Sequence, residues 1–145
     1  MSATIPKTIV LTSVAGRAEE ALAGGVIIPG ELVVLGSAGT YTRQPIVSAQ
    51  VEAIFAKEDA LQGRSIDTAY ANAERVFMHV GSPGDVIYAW LAPGHATSVG
   101  TKLTSSINGT LEVAAVSADE PLIAVALEAL SVNGAANQRI KVRLM

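Results

Sequence analysis

Two histidines, His79 and His95, are the chain's whole supply of imidazole, and cysteine is absent. A hydrolytic triad needs a nucleophile beside such a base. The lack of thiols removes disulfides, thiolate zinc sites and cysteine nucleophiles together. Neither histidine has a second one at His-x-x-x-His spacing, so no transition-metal site is expected. His79 alternates with apolar neighbours and His95 follows Pro93-Gly94, patterns that predict structural or solvated roles. There is no Gly-x-Ser-x-Gly elbow, and Gly81-Ser-Pro-Gly-Asp85 lacks the Lys-Ser/Thr of a phosphate loop and reads as a turn. The carboxylates Glu19-Glu20, Glu58-Asp59, Asp67, Asp85 and Glu120 are the remaining candidates for acid–base work, and Asp119-Glu120 lacks the spaced ligands of a calcium loop. Aromatic residues are 4% of the chain, a poor stock for a sugar groove worked by paired acids. Trp90 and Tyr88 share one face of a strand with no basic cluster, which predicts core or subunit contact rather than a stacking platform. Arg139, Lys141 and Arg143 line the outer face of a terminal strand, where such charges protect an edge or meet a neighbour's acids.

The composition sets the frame for these residues. Ten Lys+Arg against thirteen Asp+Glu give a net charge of -3, which excludes a broad basic surface for nucleic acid. Hydrophobic residues are 50% and charged ones 16%, with a mean hydropathy of +0.41. That is high for a soluble monomer and predicts self-association. Val and Ile supply 27 residues against 12 Leu, a balance that favours sheet. No apolar stretch reaches the ~20 residues that span a bilayer, and the N-terminus lacks a charged region followed by an apolar one. The expectation is a chain neither inserted in a membrane nor exported by a signal peptide.

Along the chain, Lys7–Val14 is a short β-prone run, and Gly16–Gly25 favours a helical turn stopped by its glycine pair. Pro29-Gly30 is a turn before the apolar run Glu31–Leu35. Tyr41–Phe55 reads as an irregular strand broken by Pro45, and Lys57–Arg75 as a long loop with one helical turn. Val76, Met78 and Val80 alternate with Arg75, Phe77 and His79, while 85–91 is apolar on both faces and belongs in a central or interfacial strand. Asn108-Gly109 between β-prone runs predicts a two-residue primed hairpin. In 122–130 the alternation of Ile123, Val125 and Leu127 with Ala124 and Ala126 favours strand over helix and suits a narrow barrel. Asn133-Gly134 opens a loop, and the chain ends with Ile140, Val142 and Leu144 inward. The sum is a single-domain, all-β fold of barrel-like or sandwich type with short strands, long loops and little helix.

Four segments in order resemble the head decoration (cement) proteins of tailed bacteriophages. They are Val26-Ile-Ile-Pro-Gly-Glu-Leu-Val33; Ala53-Ile-Phe-Ala-Lys-Glu-Asp59 with Gly63-Arg-Ser-Ile-Asp-Thr-Ala-Tyr-Ala71 and Glu74-Arg-Val76; Pro83-Gly-Asp-Val-Ile-Tyr-Ala-Trp-Leu91 with Val99-Gly-Thr-Lys-Leu-Thr-Ser-Ser106 and Asn108-Gly-Thr-Leu111; and Ile123-Ala-Val-Ala-Leu-Glu-Ala129 with Arg139-Ile-Lys-Val-Arg143. Asn72-Ala73 stands where that family's pattern has a turn glycine. The resemblance implies a non-enzymatic, cofactor-free β-barrel, residues 26–145, that clamps major capsid proteins on the outside of an expanded head after synthesis in the bacterial cytoplasm. Residues 1–25 would form an arm or a first strand with a short helical turn. The partners implied are the major capsid protein and further copies of the chain, trimer before dimer, with no nucleic acid and no membrane. Ile5, Ile9 and Leu11 on the arm, with Tyr88 and Trp90, are the expected capsid or self-contacts. A small ligand- or carbohydrate-binding barrel is the alternative, and it would keep an apolar pocket.

Overall fold

The computed structural model describes residues 5–14, 16–115, 119–131, 134 and 136–145, so the leader before Ile5 and the expected loop opening at Asn133 lie outside the described residues. Eleven short strands run in the order β1 (Val10–Thr12), β2 (Arg17–Leu22), β3 (Val33–Leu35), β4 (Tyr41–Arg43), β5 (Ile54–Ala56), β6 (Arg75–Val80), β7 (Val86–Leu91), β8 (Lys102–Ser105), β9 (Leu111–Val113), β10 (Ala124–Ala126) and β11 (Gln138–Leu144). Helix is limited to single 3-10 turns at Ala60–Gln62 and Ile107–Gly109 among the described residues.

Five strands close into a barrel in the order β7-β11-β10-β8-β9, with the Leu91–Leu111 pairing of β7 and β9 completing the ring; β1 adds to the outer edge of β7. So small a barrel has little interior, which explains the alanines. Ala89, Ala124 and Ala126 point inward, fully buried among Ile87, Leu91, Leu103, Leu111, Ile140 and Val142. The interior is therefore filled by side chains.

A second, smaller core lies beside the barrel. The sheet β2-β6-β5 and the ribbon β3-β4 meet through single bridges at Leu32–Phe55 and Ala23–Tyr41. Ile54, Ala56, Val76 and Met78 face this core with Ile27, Val33 and Tyr70. The opposite face of the same sheet sends Phe55, cross-strand from His79, to the barrel side, where Phe55 joins the barrel core. The sheet is thus a wall shared by two cores, and His79, expected in a structural or solvated role, is structural at 3% exposed.

Several local expectations stand. Asn108 and Gly109 both have positive φ (55 and 72), with the Thr110 amide donating to the Ile107 carbonyl (3.2 Å), and β10 is a strand. Others are corrected. Arg17–Leu22, expected to turn helically, is extended and pairs along its whole length with β6, because tertiary pairing outweighs the helix preference of Ala, Glu and Leu. The expected strand over 41–55 is two strands with different partners, separated where Pro45 cannot donate. Ala73, in the place of the expected turn glycine, takes φ +68, held by its amide bond to the Ala23 carbonyl (2.8 Å).

Candidate interaction surface

The outer face of β7 and β11 brings Tyr88 and Trp90 together with Arg139, Lys141 and Arg143. Pairing sets Arg139 opposite Trp90 and Lys141 opposite Tyr88. The Arg139 guanidinium lies 4.2 Å from the centroid of the Trp90 ring and is held by the loops that cross this face. Its Nε and Nη2 donate to the Pro29 carbonyl (3.3 and 3.1 Å), Nη2 also donates to the Ile66 carbonyl, and Nη1 to Asp67 Oδ1 (2.8 Å). Trp90 Nε1 donates to the same Pro29 carbonyl (2.9 Å). The Arg139 side chain is 7% exposed while Asp67 is 79% exposed, so the cation is sealed and its acid is wet.

The close approach depends on Gly30. Its φ is +98, and a Cβ there would lie 2.9 Å from the Tyr88 carbonyl and 3.2 Å from the Trp90 ring. Pro29-Gly30 was legible as a turn, whereas its use as a lid over Trp90 follows only from the fold. Arg139 was read as an outer-face charge that protects an edge or meets a neighbour's acids. β11 pairs on both sides, with β10 and β7, so its charges guard no edge; Arg139 is a clamp, and among the described residues Lys141 and Arg143 have no acid within ion-pair distance.

Tyr88 walls an open depression of about 370 Å³ together with Ile5, Pro6, Lys7, Ile66 and Arg139. Burial raises the Tyr88 hydroxyl pKa, with Glu128 adding to the effect. The structure thus brings Ile5, 73% exposed, and Tyr88 to one rim. Ile9 is instead fully buried in the barrel core; its amide donates to Glu58 Oε1 (3.1 Å) and its carbonyl accepts from Tyr88 (2.8 Å). Leu11 is half-buried within β1, and the Trp90 edge is committed to the clamp. A second exposed apolar group, Ile46, Val47 and Ile107, flanks Ser105, whose hydroxyl donates to the Ile46 carbonyl (2.9 Å).

The other candidate chemistry is spent internally. His79 Nε2 lies 2.8 Å from Asp85 Oδ2, which also accepts from the Ser82 amide (2.9 Å). Burial works to raise the Asp85 pKa, but the bonds from His79, Ser82 and Ser13 outweigh it and hold the carboxyl below the usual aspartate range. In this arrangement the serine and the histidine both address the carboxylate, an order unlike a hydrolytic triad. Glu31, 3% exposed, accepts from the Ile28 amide (2.6 Å) and Arg43 Nε (2.9 Å); burial pushes its pKa up against those contacts. Glu19 accepts from the Tyr41 hydroxyl, Glu20 pairs with Arg75, and Glu120 accepts from Ser48 and the Ala115 amide. Asp59 caps the 3-10 turn at Gln62, and His95 Nδ1 accepts weakly from the Val113 amide at 3.4 Å. Among the described residues no three His, Asp or Glu side chains converge as metal ligands, and no helix is long and apolar enough to cross a membrane.

No protein-family model matches the chain, and no curated protein matches it by sequence. By fold the chain is similar to the N base of head fiber gp8.5 of bacteriophage phi29, with a TM-score of 0.58 and 11% identity, covering 89% of this chain and 93% of that one. At that identity the likeness is one of architecture. The expected all-β barrel stands; the resemblance to decoration proteins meets no matching family model, and the shared fold is that of a phage head fiber base.

Proposed function

We propose that this chain is a non-enzymatic structural protein of a bacteriophage virion, seated on the outer surface of the head and bracing contacts between major capsid proteins. The observation that carries this reading is the likeness of fold, over nearly the full length of both chains, to the base of a phage head fiber. Two features support it. The barrel interior is filled by side chains, which disfavours a ligand held in the lumen, and the polar groups that could do chemistry are bonded to one another or to backbone. Large apolar side chains stay exposed at Ile5, Ile46, Val47 and Ile107, a surface suited to contacts with the shell or with further copies of the chain. Symmetry repeats each such contact over the head, so a modest interface suffices.

The test is co-sedimentation of the purified protein with expanded, undecorated heads of the phage that encodes it, followed by heating. Saturation at a fixed ratio to the capsid subunit, with heads that survive to higher temperature, is the expected result. A folded protein that does not bind overturns the proposal and turns attention to the ligand-binding barrel.

A further inference from the structure

The sheet β2-β6-β5 has one edge covered and one open. Along β5 the Ala56 amide donates to the Glu31 carbonyl (2.9 Å), which closes that side. The other edge is β2. The Lys57 amide donates to the Phe77 carbonyl (2.9 Å), so residue 77 of β6 turns its backbone groups toward β5, and alternation turns those of Val76, Met78 and Val80 toward β2. Their partners are Ala21, Glu19 and Arg17, and the Ala23 amide continues the series to the Glu74 carbonyl (2.8 Å). Ala18 and Glu20 therefore aim their N–H and C=O groups outward. Beyond them β4 takes over the edge, where the Gly24 amide donates to the Tyr41 carbonyl (2.8 Å); among the described residues no hydrogen bond reaches the main chain of Ala18 or Glu20.

Such an edge is a template for another strand, and proteins usually blunt it with proline, a bulge, brevity or charged side chains. β2 has six residues, no proline and an unbroken register. Its charges nevertheless reject its own copy. Antiparallel pairing of two β2 edges through Ala18 and Glu20 sets Glu19 against Glu19 of the second copy, and centring on Glu20 sets that residue against itself. Like charges directly opposite destabilise a ladder, and parallel in-register pairing stacks both acids in the same way. Centring on Ala18 draws in Gly16, whose φ is +53 and whose amide already donates to Ser13 Oγ (3.0 Å).

We infer that the β2 edge accepts an extended segment of a different polypeptide, with neutral or basic side chains facing Glu19 and Glu20. Resting on the proposed function, the donor of that segment is a subunit of the head shell. Backbone bonds to Ala18 and Glu20 supply the attachment, and the two acids supply the selection: Glu19 accepts from the neutral Tyr41 hydroxyl and keeps its charge, and the Glu20–Arg75 pair is exposed and weak.

The test compares the wild-type chain with an Ala18→Pro/Glu20→Pro variant in binding to expanded heads. Both prolines remove outward donors and leave the bonds of β2 to β6 in place. Expected are an unchanged circular dichroism spectrum and binding at least tenfold weaker. Amide exchange on the wild-type chain, with and without heads, gives a second readout that is independent of the variant's folding; exchange at Ala18 and Glu20 is expected to slow at least tenfold on binding. If the wild type binds while those amides exchange as before, or a folded variant binds as tightly as wild type, the edge is not the attachment. If the wild type does not bind heads at all, the proposed function itself falls, and the shell partner with it.

Discussion

Arg139 and Arg143 lie on the same outer face of β11, four residues apart, yet the structure assigns them opposite weights. Replacing Arg139 by Met keeps the aliphatic stem and removes the guanidinium. The Ile66 carbonyl then loses its charged donor, and the Pro29 carbonyl keeps only Trp90 Nε1. Charge-assisted bonds contribute about 1.5–3 kcal/mol each, and a partly desolvated cation–π contact about 1–2 kcal/mol. The Asp67 pair adds little, because that carboxylate is exposed. The pieces overlap, so the expected loss for Arg139→Met is about 3–5 kcal/mol. For a chain of this size that lowers Tm by about 10–15 °C. Arg143→Met, which removes an exposed cation with no ion pair among the described residues, is expected to stay within about 0.5 kcal/mol of wild type. Urea unfolding and thermal melts of the two variants side by side give the answer. An Arg139→Met protein that melts within about 3 °C of wild type, roughly 1 kcal/mol, refutes the clamp as the element joining the Pro29 and Ile66 loops to the barrel.

Gly30→Ala combines a left-handed backbone with a Cβ against the Tyr88 carbonyl, and is expected to cost about 2–4 kcal/mol in a denaturant melt. Ala73→Gly should act in the other direction, raising stability by about 1 kcal/mol because it relieves φ +68. Asp85 has a folded pKa below its unfolded value, so its stabilisation is full above the usual aspartate range and is lost as pH falls through the depressed value; Asp85→Asn should flatten that acid limb of a stability-versus-pH curve. Glu31 works with the opposite sign: its raised pKa makes the fold gain stability as the carboxyl protonates, and Glu31→Gln should remove that gain in the same titration.

Much of the fold was legible because the signals were local. The β-branched composition, the two-sided apolar run at 86–91, the Asn108-Gly109 turn and the alternation ending at Leu144 each depend on residues within a strand's length of one another. Even the narrowness of the barrel was visible in Ala124 and Ala126. The errors arose where distant partners decide. Arg17–Leu22 has a helix former's composition, but six pairings with β6 make it a strand. His79, open in the sequence to a structural or a solvated role, is buried because Phe55, 24 positions earlier, brings the barrel core against the same face of its sheet.

The candidate surface divides in the same way. The sequence by itself determined the all-β class, the charge balance, the absence of thiol chemistry and the aromatic pair Tyr88 and Trp90, since each follows from residue type and short spacing. Only the tertiary structure decided that Trp90 lies under Arg139 and Pro29, that Ile9 is core while Ile5 stays exposed, and that β2 keeps an open edge. Those outcomes depend on hydrogen bonds and packing between segments as many as 110 positions apart, and no local pattern encodes which loop will cross which strand.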